Sequence, residues 1–172
     1  KKSKLVDKAK QDKILNKLEF TLTKDQFKTL EEINNDLSST NKMFRLLQGD
    51  VGSGKTIVSL LAAYNAINSG FQVAFMAPTE ILAKQHFNFA KKLFSNQINI
   101  QLISGKSEYK TKKEILKKIA NNKIDIIFGT HAIFQKKVFF KNLGLIVIDE
   151  QHKFGVNQRK RLSDKGGKDC DV

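Results

Sequence analysis

Residues Gly49-Asp-Val-Gly-Ser-Gly-Lys-Thr56 spell a complete G-x-x-x-x-G-K-[ST] phosphate-binding loop. Such a loop joins a strand to a helix. Its glycines let successive backbone N–H groups turn inward at the helix N-terminus, where the helix dipole also favours an anion. Gly49, Asp50, Val51, Gly52, Ser53 and Gly54 are thereby expected to line a triphosphate. Lys55 is expected to reach the β- and γ-phosphates, and the Thr56 hydroxyl to hold Mg²⁺. Further on, the apolar run Leu143-Gly-Leu-Ile-Val-Ile148 ends in Asp149-Glu150. An acidic pair ending a buried strand is often just a solvated cap. Paired with the loop, it takes a second meaning. Asp149 is then expected to meet the same ion, usually through water, and Glu150 to orient or deprotonate an attacking water. Lys55 and Glu150 are the expected catalytic residues.

Around this pair the sequence alternates between strand and helix. Strands are expected at Phe44–Gln48, Gln72–Ala77, Ile98–Ile103, Ile124–Phe128 and Leu145–Ile148, with helices at 56–68, 79–94 and 108–121. The single proline, Pro78, stops the second strand. Another helix opens at Leu22 and runs to Leu37 with Phe27, Leu30, Ile33 and Leu37 as its apolar stripe. Residues 1–18 read as an amphipathic connecting helix with Leu5, Ala9, Leu15 and Leu18 on one side. This alternation predicts an α/β fold of three layers: a mainly parallel sheet, right-handed crossovers and helices on both faces. Ligands in such folds sit outside the carboxyl ends of the strands. Gly49–Thr56, Pro78–Glu80, Gly129–His131 and Asp149–His152 should therefore share one rim.

A chain of 172 residues suits one such domain and leaves little room for a second. No stretch nears the roughly 18 continuous apolar residues of a membrane span. The lone Cys170 excludes an internal disulfide and suits a reducing cytoplasm. A formal charge of +14 points to polyanionic partners, but it is almost all lysine, which a biased genome also produces. The lysines of 110–118 read first as a solvated helix face. His86, His131 and His152 fit no common zinc spacing, and His86, late in a helix, reads as structural. Thr23-x-x-Gln26 is a capping box, and Pro78-Thr79-Glu80 reads as a capped helix start. The chain opens on Lys1, which suggests a piece of a longer polypeptide.

With these residues in view, the chain resembles the superfamily 2 helicases, and among them the RecG-type branched-DNA helicases. The likeness rests on Arg45-Leu-Leu-Gln-Gly-Asp-Val-Gly-Ser-Gly-Lys-Thr56, Met76-Ala-Pro-Thr-Glu-Ile-Leu-Ala-Lys-Gln-His86, Gly129-Thr-His-Ala-Ile-Phe134 and Ile148-Asp-Glu-Gln-His-Lys-Phe-Gly-Val156. It spans residues 20–162, and the Asp-Glu-Gln-His box followed by Phe-Gly-Val is its most discriminating part. The resemblance implies a RecA-like P-loop lobe that binds ATP and Mg²⁺, and it makes Gln26 an adenine reader beside the capping reading. It gives Pro78, Thr79, Glu80, Gly105 with Lys106, Thr130 and His131 to DNA phosphates. Gln151 and His152 become coupling residues. Phe20 is left open between base stacking and a core or staple role.

By the same resemblance, 1–19 would connect to an absent upstream wedge domain, and 20–172 would be the first of two motor lobes. The second lobe, with its arginine fingers, and the Thr-Ala-Thr-Pro motif are not in this sequence. The expected parent is a cytoplasmic, monomeric helicase acting on branched or forked DNA in recombination and repair. The motor of a transcription-repair coupling translocase and a nucleotide-gated DNA-binding module without turnover remain alternatives. An RNA helicase and a metabolic kinase fit the motifs less well.

Overall fold

The computed structural model describes residues 1–105, 108–155 and 164–172. Its elements run α1 (Lys8–Leu15), α2 (Lys24–Ser38), α3 (Lys55–Asn68), β1 (Gln72–Met76), α4 (Glu80–Phe94), β2 (Ile100–Ile103), α5 (Tyr109–Ala120), β3 (Ile126–Gly129) and β4 (Leu143–Ile148). Two short 3₁₀ turns follow β3 and β4, at His131–Phe134 and Gln151–Lys153. The four strands form one parallel sheet in the order β2-β3-β1-β4. Buried on both faces, β1 is apolar along most of its length, as parallel central strands are.

Alternation along β1 divides the core. Val73 and Phe75 pack on one side with Leu30, Leu37, Leu60, Leu61 and Phe94 from α2, α3 and α4. Ala74 and Met76 pack on the other with Ile115 and Ile119 of α5, Ile133, and Cys170. This is the expected three-layer α/β arrangement. Its largest apolar burden lies under α3, where Ile57, Val58, Leu60, Leu61, Ala62 and Ala63 are all buried.

Three expectations are corrected. Phe44–Gln48 is not a strand. It runs extended beside Val172, with Val172 N–H donating to Met43 O at 3.0 Å and Arg45 N–H to Val172 O at 3.0 Å. One paired residue makes no ladder, and Phe44 and Leu46 are exposed. The N-terminal helix is shorter than expected, Lys8–Leu15, and its stripe is different. Leu5 and Ala9 are exposed, while Gln11 and Ile14 face inward. Gln11 accepts from the side chains of Asn34 (3.0 Å) and Asn65 (2.9 Å), so a buried amide network fixes α1 on α2 and α3. On α2, Phe27 is 45% exposed, and Asn34 joins Leu30, Ile33 and Leu37 on the buried face.

The two ends of the chain meet at one corner. Asp171 is fully buried and accepts from Lys1 Nζ (2.8 Å), Lys4 Nζ (2.8 Å) and Met43 N–H (2.7 Å). Asp171 also pairs in parallel with Leu145 at the outer edge of β4. Three hydrogen-bond donors, two of them charged, make this buried carboxylate tolerable where an isolated one would not be.

Candidate nucleotide-binding site

Because the sheet is parallel, every strand delivers its carboxyl end to the same rim. Asp149 N–H donates to Met76 O (2.8 Å), and Ala77 N–H to Gly129 O (2.9 Å), which ties the ends of β4, β1 and β3 together. The loop Gly49–Gly54 rises beside them and runs directly into α3. Gly52 and Gly54 both have φ +81, the left-handed region that favours glycine. A Cβ on Gly54 would also fall 2.2 Å from Gln26 Nε2. Lys55 Nζ donates to the carbonyls of Gly49 (2.6 Å) and Asp50 (2.8 Å), which holds the ammonium across the mouth of the loop.

Opposite stands the end of β4. Asp149 is 26% exposed, and its Oδ2 accepts from His86 Nε2 at 2.8 Å. That hydrogen bond is the largest of the effects that hold the Asp149 carboxyl below its ordinary range, with the Lys55 charge a lesser one. Partial burial opposes them. Glu150 follows with φ 53 and ψ 50, a left-handed backbone at a non-glycine residue. It is exposed, and its Oε2 lies 3.3 Å from His152 Nε2. Gln151 is half-buried and His152 exposed. Lys55, Thr56, Asp149, Glu150, Gln151 and His152 all line one cleft of about 700 Å³.

The donor set in that cleft is a hydroxyl and a carboxylate, both hard oxygen donors. That suits Mg²⁺, which takes oxygen ligands and leaves positions for water and phosphate. Among the described residues, no group of three or more His, Cys, Asp or Glu side chains could hold a metal by itself. An ion here would need the phosphates as partners.

Gln26 carries the capping box in full: its Oε1 accepts from Thr23 N–H (2.9 Å), while Thr23 Oγ1 accepts from Gln26 N–H (3.2 Å). Its amide nitrogen donates to Ser53 O at 2.7 Å. One side chain thus joins the start of α2 to the phosphate loop. Phe20 is 50% exposed and lines a shallow hollow with Leu22, Thr23 and Phe27, so it is no core aromatic.

The remaining rim residues form a second group. Thr79 caps α4, its side chain accepting from Leu82 N–H at 3.2 Å. Glu80 accepts from Gly105 N–H and from Ser104 Oγ, which clasps the end of β2 to α4. Pro78 is half-buried and Thr79 exposed, as are Thr130 and His131 respectively at the end of β3. Lys106 and Val156 lie outside the described residues. The lysines at 110, 113, 117 and 118 are exposed on the outer side of α5, as a solvated face would be. His86, expected to be structural, is hydrogen-bonded to Asp149. Helical spacing puts His86 on the inward face, three residues after the buried Ala83 and four before the buried Ala90, but it names no partner.

Known proteins bear on this geometry in the same sense. Residues 23–168 match the DEAD/DEAH box helicase family. The chain is 51% identical over 149 residues to an ATP-dependent DNA helicase RecG of Streptococcus pneumoniae, covering 87% of this chain and 22% of that protein. A RecG of Aquifex aeolicus is 50% identical over 155 residues, covering 90% of this chain and 20% of the relative. The chain therefore spans about a fifth of the length of these curated relatives. Among solved structures, a RecG bound to a three-way DNA junction superposes with TM-score 0.83 at 44% identity, over 89% of this chain and 21% of that one. The UvsW helicase of bacteriophage T4, at 18% identity and TM-score 0.66, shares the fold over 98% of this chain and 60% of its own.

Proposed function

The chain belongs to the DEAD/DEAH box helicase family, and from that premise we propose that it is the ATP-binding motor lobe of a RecG-type helicase that remodels branched DNA. In this reading residues 20–172 are the lobe, and 1–19 lead into it from upstream. The observation that carries the proposal is the convergence of Lys55, Thr56, Asp149 and Glu150 on one cleft. The amides of Gly49–Gly54 cradle the phosphates. The Lys55 ammonium exchanges the carbonyls of Gly49 and Asp50 for phosphate oxygens, whose negative charge is the better partner. Thr56 and Asp149 would hold Mg²⁺, which supplies charge neutralisation on the phosphates. Glu150 orients or deprotonates the attacking water. Gln26, next to the loop through Ser53, reads the adenine by exchanging its present amide partners.

The rim residues Pro78, Thr79, Glu80, Gly105, Thr130 and His131 follow the DNA backbone, where contacts to phosphate position the protein without reading sequence. Gln151 and His152, beside Glu150, pass the state of the cleft to that rim. The parent's second lobe would supply arginine charge for the transfer step, a contribution of about 10³–10⁵ in rate in comparable systems. Residues 1–172 alone are therefore expected to bind nucleotide and turn it over feebly.

The test is made in the parent-length protein. Glu150→Gln is expected to keep ATP binding and to lower DNA-stimulated turnover by about 100-fold or more, as loss of a general base does. Lys55→Ala is expected to lose binding itself. Unchanged turnover in Glu150→Gln would take the water-activating role from Glu150, and no turnover in the unsubstituted protein would return the cleft to a nucleotide-gated binding module.

A further inference from the structure

The contact between His86 and Asp149 joins two elements that the nucleotide chemistry alone does not require to touch. Asp149 ends β4; His86 lies on α4, 63 residues earlier in the chain. Its ring is 12% exposed and rests on the ring of Phe75, centroid to centroid 4.9 Å, with Phe75 itself buried on β1. A carboxylate can only accept, so Nε2 donates the 2.8 Å hydrogen bond to Oδ2. One oxygen of Asp149 is thereby engaged from the side of α4.

The same helix begins at the rim. Thr79 caps it, and Glu80 in its first turn clasps Gly105 and Ser104 at the end of β2. From Thr79 to His86 the helix rises roughly 10 Å, at about 1.5 Å per residue. Its length is fixed by backbone hydrogen bonds, so a displacement of the capped end reaches His86 as a displacement of the ring. The ring thus touches Phe75 of β1 on its face and the β4 carboxylate at Nε2.

We propose that His86 is a positioning residue for Asp149, and that through it the rim end of α4 sets how the Asp149 carboxylate meets the nucleotide-bound cation. The proposal rests on the reading of the cleft as a Mg²⁺-nucleotide site and of the rim as its DNA track. It assigns α4 a task that the motif residues Gln151 and His152 do not cover: registering the metal aspartate to the DNA side of the lobe.

Three variants of the parent-length protein separate the alternatives. His86→Phe keeps a ring against Phe75 but has no donor. His86→Gln carries a donor at nearly the reach of Nε2, and His86→Asn is too short. Equilibrium binding of a fluorescent ATP analogue is titrated with Mg²⁺, and repeated with a DNA junction present. Residues that hold a ligating carboxylate typically change metal affinity by about 10- to 100-fold. His86→Phe and His86→Asn are therefore expected to need about tenfold more Mg²⁺ at half-saturation. Nucleotide binding in EDTA should stay unchanged, and His86→Gln should stay near the natural protein. In His86→Phe the junction should also lose its effect on nucleotide affinity.

An unchanged Mg²⁺ midpoint in His86→Phe overturns the proposal. So does an equal shift in His86→Gln and His86→Asn, because a packing defect would not distinguish the two amides. If His86→Phe is too unstable to assay, the Gln/Asn pair decides alone. Failure of the natural protein to show any Mg²⁺-dependent nucleotide binding would instead sink the underlying reading of the cleft.

Discussion

Glu150 sits in a backbone conformation that L-residues avoid. Its φ of 53 places it in the left-handed region, at a cost of about 1–3 kcal/mol where such strain is stored at a functional site. Glu150→Gly is accordingly expected to raise the thermal midpoint, by about 1 kcal/mol of relieved strain, while abolishing turnover. Calorimetry and an ATPase assay on the same sample would check it, and a lowered midpoint would refute it. Cys170 is a simpler case. Burial pushes its thiol up to about 12, well above the ordinary thiol range. Below pH 9 the thiol is protonated in both folded and unfolded chains and adds no pH dependence. From pH 9 towards 12 the unfolded chain ionises first, so Cys170 erodes stability as pH rises. Alkylation by iodoacetamide at pH 8 should be slow in the native protein and fast in urea; a rapid native reaction would contradict the burial.

At the scale of elements, the start of α2 is the junction on which loop geometry depends. Thr23 caps the helix, Gln26 completes the box, and the same amide donates to Ser53 O in the phosphate loop. Thr23→Ala is expected to cost about 1 kcal/mol of stability, the ordinary worth of a cap. The Gln26 side chain keeps its bonds to the Thr23 backbone N–H and to Ser53 O in that variant, so nucleotide affinity should hold; an affinity that falls with the cap would show that cap and loop act as one unit. Capping boxes, turn residues and apolar periods are local, and they were legible: α2 through α5 lie within a residue or two of where their sequences predict them. Phe44–Gln48 was not. Its apolar residues satisfy a strand pattern, but strand identity depends on a neighbour, and Val172 provides pairing at one position. The stripe on α1 failed for a related reason. Gln11 is buried because Asn34 and Asn65 meet it, and no periodicity of apolar residues announces a polar contact across three helices.

On the whole molecule, parallel topology does the gathering. Motifs after β1, β3 and β4 reach one rim because those strands end there, and the phosphate loop joins them through the extended segment 44–48 and α3, so the two halves of the cleft could be read from contiguous letters. The pairing of His86 with Asp149 could not, since nothing in either segment names the other. The lysine excess is likewise a property of the entire surface. With a formal charge of +14, the chain should bind DNA with an affinity that falls at least about tenfold from 50 to 200 mM salt, the loss produced by roughly two neutralised phosphates. A fluorescence-anisotropy titration across that range would measure it, and a flat response would reduce the basicity to compositional bias.

Asp171 gathers Lys1 and Lys4 beside the edge of the sheet, and Lys2 N–H adds a bond to Asp169 at 2.6 Å. Entry and exit thus share one knot of charge at the outer edge of β4. Tension drawn through both termini would peel that knot open bond by bond instead of sliding the strands past each other. Mechanically, the clasp would yield first and the sheet would be spared the load.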